Sequence, residues 1–128
     1  DILATVAGLA GIKLPDNAGE DSFDQSPGFK NGDNGVTARN HLVIHTINGS
    51  YAMRYKNWML IEAKSGEVSK EPGWIKQKKN LQSDSTEMIL YDLEKDPGET
   101  TNLYIEYPAK VAELKSLLDG IRKKKNSR

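Results

Sequence analysis

"LVIHTINGSYAMRYKNWMLIEAK", residues 42–64, decides the fold. Leu42 to Ile47 and Tyr51 to Tyr55 read as short strands of β-branched, aromatic and apolar residues. The Asn48-Gly49 pair between them tolerates the positive φ that a tight hairpin turn demands. A second short turn at Lys56-Asn57 leads into Trp58 to Lys64, so three antiparallel strands in a meander are expected. Further on, "EMILYDL" (Glu87 to Leu93) supplies a fourth. Its Met88, Leu90 and Asp92 point to one face, and Ile89, Tyr91 and Leu93 to the other.

The chain then runs through "LYDLEKDPGETTNL" (Leu90 to Leu103) into "YIEYPAKVAELKSLLDGI". Asp96-Pro97-Gly98 fits a tight turn in which Pro97 fixes φ at the first central position and Gly98 takes the positive φ of the second. Pro108 suits the first position of a helix, where its missing N–H costs nothing. Val111, Leu114, Leu117, Leu118 and Ile121 follow as one apolar stripe at helical spacing. Arg122 to Lys125 crowd the end, where cations complement the helix dipole. The connector therefore lays a terminal helix on the sheet.

Upstream, Asp1 is positioned as an N-cap, and Ile2, Leu3, Val6, Leu9 and Ala10 recur at helical spacing until Gly11 and Pro15. The reading is a helix from Ile2 to Gly11 that is apolar on nearly every side and needs several partners. It starts in mid-pattern, as though something upstream had been removed. Asp16 to Arg39 is rich in Asp, Asn, Gly and Ser, with Phe23 and Phe29 as its large anchors. A loop of that length is expected to be functional or draped over another surface, and draping is favoured. Ser65 to Ser85, punctuated by Gly66, Pro72 and Gly73 around Trp74, reads as an insertion in the sheet. The fold class is α+β: a small antiparallel sheet of about four strands, a C-terminal helix packed on it and an N-terminal helix, forming one domain over residues 1–128.

Composition narrows the function. The 128 residues, 37% hydrophobic, suffice for a modest core, and 18 basic residues balance 18 acidic ones. No overall field draws the chain to nucleic acid or to an anionic membrane. Without cysteine there is no disulfide, no thiolate nucleophile and no thiolate metal site. "ILATVAGLAGI" (Ile2 to Ile12) falls short of the roughly twenty residues that span a bilayer, and it lacks the basic leader of a signal peptide. His41 and His45 lie four apart in a strand, on one face at about 13 Å, too far to share a metal ion. Asp92, Glu94, Asp96 and Glu99 lack the spacing of an EF-hand and read as a solvated turn accepting backbone N–H bonds. The basic end from Arg122 is explained by a capped helix and a frayed tail.

Taken together, the pieces resemble the C-terminal part of a type I, formylglycine-dependent sulfatase of the alkaline-phosphatase superfamily. "DILATVAGLAGIKLP" is similar to that family's Asp-Leu-x-Pro-Thr-Leu-x-x-Leu-Ala-Gly helix, with Ala4 in place of the usual Pro. "EDSF" (Glu20 to Phe23) resembles the acidic-Ser element after it, and "HTINGSYAMRYKNWMLI" the hairpin followed by Trp-Lys-Leu. "LYDLEKDPGETTNL" is close to the terminal signature and "YPAKVAELKSLL" to its helix. Asp24-Gln25-Ser26, where apolar residues are common, and Met59, where Lys is common, depart from the pattern.

The resemblance implies a sulfate ester, probably of a sulfated carbohydrate, as substrate. It also implies a formylglycine nucleophile and a divalent cation, calcium, in a catalytic N-terminal domain that this chain would have as its partner. The family's Cys/Ser-x-Pro-x-Arg motif does not occur here, so no catalytic, metal or cofactor residue is expected in the chain. The candidates for substrate contact are His45, beside the hairpin turn, where an imidazole can hydrogen-bond to a hydroxyl or sulfate oxygen; Arg54, whose fork also suits a structural ion pair; and Trp74, which can stack on a sugar or anchor its own loop. The resemblance places the protein in the periplasm or outside the cell. The rival reading is an autonomous carbohydrate- or protein-binding module, which would not begin with a helix apolar on almost every side.

Overall fold

The computed structural model describes residues 1–31, 39–45, 49–63, 74 and 86–124. Internal packing divides the chain into His41–Leu118 and a second unit made of Asp1–Asn40 with Asp119–Arg128.

In the first unit, β1 (His41–His45), β2 (Tyr51–Tyr55), β3 (Trp58–Ile61) and β4 (Ile89–Asp92) form one sheet in that order, with every neighbouring pair antiparallel. The meander and the fourth strand are as the sequence indicated. The first turn reaches Gly49 at φ 87°, while Asn48 lies outside the described residues. In the second turn Lys56 takes a left-handed φ of 56°. The register pairs Val43 with Met53, Met53 with Leu60 and Leu60 with Leu90, and cross-strand partners share a face. Met53, Leu60 and Leu90 are thus one apolar row, all of it buried.

The helix α3 (Pro108–Lys124) covers this row. Val111 and Leu114 join Leu60 and Leu90 in the core, with Tyr55, Trp58, Met88, Leu103 and Tyr104 packed around it. Each fully buried leucine contributes about 1.5–3 kcal/mol relative to exposure. Leu118 is also buried, but Leu117 is 39% exposed, so the stripe read from the sequence is wider than the face that packs.

At the outer edge of β4, the connector occupies the position of a further strand. Leu103 N–H donates to the Leu90 carbonyl at 2.8 Å, and Asn102 Oδ1 accepts the N–H of Leu90 at 3.0 Å. The edge is closed by a loop and a side-chain amide. In the turn before it, Glu99 N–H donates to Asp96 C=O at 3.1 Å, and the positive φ falls on Glu99 at 53°, not on Gly98. The turn expected with Gly98 in the left-handed region is therefore corrected by one residue.

In the other unit, α1 (Ile2–Leu9) ends on Ala10, and Gly11 turns out of it at φ 71°. Its burial is the inverse of what side-chain size suggests. Ala4, Thr5 and Ala7 are buried, whereas Ile2, Leu3, Val6 and Leu9 are all more than half exposed. The small residues admit close neighbours: a Cβ on Gly8 would lie 2.2 Å from an Asp24 carboxylate oxygen. The Asp1 side chain does not cap α1 as expected. The cap comes from Ser22, whose hydroxyl accepts the free N–H of Ala4 at 2.9 Å.

The stretch read as a long loop from Asp16 contains a short helix, α2 (Ser26–Asn31), started by Asp24, whose carboxylate accepts Ser26 N–H at 2.8 Å. Phe29 on α2 is 72% exposed, so it is not a buried anchor of the kind the sequence suggested. Residues 32–38 of that stretch, and all of the Ser65–Ser85 insertion except Trp74, lie outside the described residues. Among the described residues, no helix is long and apolar enough to cross a membrane.

Candidate functional site

The hairpin end of β1 and β2 presents His45. It is the last residue of β1, exposed, and in register with Tyr51. The two rings lie 4.6 Å apart between centroids at 57°, a tilted contact that gives the imidazole a preferred orientation. His41, at the far end of the same face, pairs with Tyr55. The two histidines are separated by four positions of extended strand, as the sequence indicated.

Arg54 belongs to a different surface. It pairs with Leu42 and Met59, so it emerges on the side of the sheet opposite His45. Its Nε donates to the Lys56 carbonyl at 3.2 Å, which ties the guanidinium to the second turn. Trp74 is 65% exposed, and the residues on either side of it lie outside the described residues. The structure does not bring His45 and Arg54 together. Given the pairing of His45 with Tyr51, parity accounts for this, since Tyr51 and Arg54 are an odd number of positions apart in one strand.

The acidic run after β4 is engaged within the fold. Asp92, 2% exposed, accepts the Asn57 side-chain N–H at 2.7 Å and the Glu94 N–H at 3.2 Å, with Lys95 Nζ at 3.5 Å. The Asn57 amide chiefly holds its carboxyl below the usual range, with help from Glu94 N–H and Lys95 and against the effect of burial. Asp92 is thus not the solvated group expected from the sequence. For Asp96, burial pushes the pKa up, but the N–H of Thr101 and the hydroxyl and N–H of Thr100 together outweigh it and leave the carboxyl lowered. These carboxylates organise turns. Among the described residues, no three His, Cys, Asp or Glu side chains are grouped to hold a metal ion.

One cluster was not legible as a site. The Arg39 guanidinium binds the Asp1 carboxylate, donates to the Asp21 carbonyl at 3.1 Å and lies 4.5 Å over the Phe23 ring. Asp1 also accepts Phe23 N–H at 3.1 Å and Gln25 Nε2 at 2.8 Å. Asp1 is therefore a clamp between segments distant in sequence. Beside it, a shallow cleft of about 330 Å³ is lined by Ala7, Gly8, Ile12, Lys13, Asp16 and Asp24.

No family model matches the chain. Over 122 residues, 95% of its length, it is 30% identical to an N-acetylgalactosamine-6-O-sulfatase of Bacteroides thetaiotaomicron, of which it spans 22%. It matches a solved structure described under the metabolism of multiple glycosaminoglycans by Bacteroides thetaiotaomicron, with a TM-score of 0.69 and 28% identity. That match covers 96% of this chain and 24% of the other. A structure described as a 2-O glycosaminoglycan sulfatase matches with a TM-score of 0.64 at 23% identity, over 98% of this chain and 24% of that one. At that identity the likeness is one of fold. The chain spans about a quarter or less of the length of the relatives it matches.

Proposed function

We propose, from the membership of this chain in the sulfatase family over the segment it represents, that it is the C-terminal part of an enzyme hydrolysing sulfate esters of sulfated carbohydrates. The observation that carries the reading is the 30% identity maintained over 122 residues to an N-acetylgalactosamine-6-O-sulfatase. An alignment of that length spans the first helix, the meander, the acidic turn and the terminal helix.

The residues present support a division of labour between this part and the rest of the enzyme. The chain has no cysteine and no Ser-x-Pro-x-Arg, and its described carboxylates and histidines do not form a cation-binding set. The formylglycine nucleophile and the calcium ion belong to the catalytic N-terminal domain, and S–O cleavage belongs there too. This part closes one side of the cleft and helps choose the substrate. His45 is the contact best supported, because its imidazole is exposed and oriented by Tyr51 to hydrogen-bond to a sugar hydroxyl or sulfate oxygen. Arg54, on the opposite face of the sheet from His45, contacts substrate only if the glycan is long enough to pass from one face to the other, and Trp74, 65% exposed, is a further candidate for stacking on a sugar ring. A polymeric extracellular substrate fits a periplasmic or secreted enzyme.

The test is sulfate release by the full-length protein from 6-O-sulfated N-acetylgalactosamine, with and without His45→Ala. A lost hydrogen bond to a charged oxygen lowers kcat/KM about ten- to a hundredfold. An unchanged kcat/KM would remove His45 from the substrate site. Failure of the unsubstituted enzyme to release sulfate from any sulfated glycosaminoglycan sugar would defeat the sulfatase reading itself.

A further inference from the structure

We propose that Glu62 is a specificity-determining residue of the sulfate-ester site: it accepts a hydrogen bond from a ring hydroxyl of the sulfated sugar and rejects a sugar that carries a second sulfate at that hydroxyl. The inference rests on the placement of substrate at His45.

Three rows of cross-strand partners cross the side of the sheet that carries α3. The middle row, Met53, Leu60 and Leu90, is buried and apolar. At the far end, His41, Tyr55 and Trp58 lead to Asp92, which is 2% exposed and bonded into the turns. At the hairpin end His45 pairs with Tyr51, and the Glu62 N–H donates to the Tyr51 carbonyl at 2.8 Å, one step beyond the pairing of Ala52 with Ile61. Glu62 is therefore opposite Tyr51, and its side chain leaves the same face as Tyr51 and His45. It is half-buried, not enclosed as Asp92 is.

These residue types suit a sugar. Two strand spacings, roughly 9–10 Å, separate His45 from Glu62, a gap that admits one sugar ring with a hydrogen bond at each side. Tyr51 lies between them with an apolar ring and a polar tip, and His45 meets that ring at 57°, not flat against it. An imidazole both donates and accepts, whereas an ionised carboxylate only accepts. The partner of Glu62 must therefore be a donor, which a sugar hydroxyl is and a sulfate oxygen is not. A second sulfate there meets a like charge and offers no hydrogen, the arrangement by which a site excludes a near relative of its substrate. In N-acetylgalactosamine 6-sulfate the ring hydroxyls besides the anomeric one are at C3 and C4, so Glu62 distinguishes that sugar from its 3,6- or its 4,6-disulfate.

The experiment measures sulfate release by the full-length protein from the 6-sulfate and from both disulfates, unsubstituted and with Glu62→Gln or Glu62→Asp. The unsubstituted enzyme should favour the 6-sulfate over at least one disulfate by about tenfold or more in kcat/KM. Glu62→Gln should shrink that preference about tenfold, while Glu62→Asp, which keeps the charge, retains it. An equal change on all three sugars, from none to complete loss of turnover, would overturn the proposal, because a merely structural carboxylate does not discriminate between them. So would an unsubstituted enzyme without the preference, or a loss of preference as large in the Asp variant as in the Gln variant. Each of these leaves the sulfatase reading standing. Failure of the unsubstituted enzyme to release sulfate from any of the three sugars would instead remove the substrate reading, and the role of Glu62 with it.

Discussion

Asn102→Ala tests how the outer edge of the sheet is closed. Asn102 Oδ1 accepts the N–H of Leu90 and of Tyr104, each at 3.0 Å, and Nδ2 donates to Thr86 Oγ1 at 2.9 Å. Leu90 is fully buried, so truncation leaves its N–H without a partner where water does not reach. An orphaned buried donor costs about 1–3 kcal/mol, and the half-buried Tyr104 N–H and the lost Thr86 contact bring the total to about 2–4 kcal/mol. Asn102→Asp keeps both acceptor contacts and is expected to cost under about half as much. Hydrogen–deuterium exchange on the full-length protein reads this locally. With about 1.4 kcal/mol per decade, the Leu90 and Tyr104 amides should exchange about thirty- to a thousandfold faster in the Ala variant and much less so in the Asp variant. If Ala and Asp accelerate exchange equally, or if neither does, the edge is not held by that amide.

Two further predictions concern the connector and the carboxylates that organise turns. Gly98→Ala should be neutral or stabilising by about 0.4–1 kcal/mol in thermal denaturation, since Gly98 does not have positive φ and a Cβ there meets Thr100 Cγ2 at an ordinary 3.4 Å; a clear loss would restore the left-handed turn expected from the sequence. Asp24, Asp92 and Asp96 all have lowered carboxyl pKa values in the fold, so below about pH 4 the unfolded chain binds more protons than the native one. Stability should be complete above that range and fall as the pH drops through the lowered values. Asp96→Asn should flatten the decline, and an identical acid profile would remove Asp96 from the account.

The sheet was legible because its signals are local. Asn-Gly between two strand-like runs, and a second turn at Lys56-Asn57, leave few other arrangements. The N-terminal half was less legible because its organisation is not local. A helix with apolar residues all round gives no periodic signal for which side is buried, and here the small residues were buried. The cap on Ala4 comes from Ser22, eighteen residues away, and Asp1 was spent on Arg39, thirty-eight away. The helix α2 was hidden by the Pro27-Gly28 pair within it, both residues of low helix propensity. For the candidate site, both the separation of His45 from Arg54 and the ring contact that orients His45 depend on the pairing of His45 with Tyr51, which the strand patterns do not give by themselves.

The order in which the strands are joined also sets the order in which they can assemble. β1, β2 and β3 are linked by short turns, but Ile61 finds its partner Ile89 about 28 positions later. Closing that loop costs roughly 2 kcal/mol more entropy than closing a two-residue turn, which must be met before the contacts it brings can repay it. Those contacts are the ones that complete the core, because Leu90 joins Leu60 to the helix that follows. The meander is therefore a template that forms from its own neighbourhood, and the last strand, with the helix tethered behind it, is the late-arriving and first-departing half of the unit.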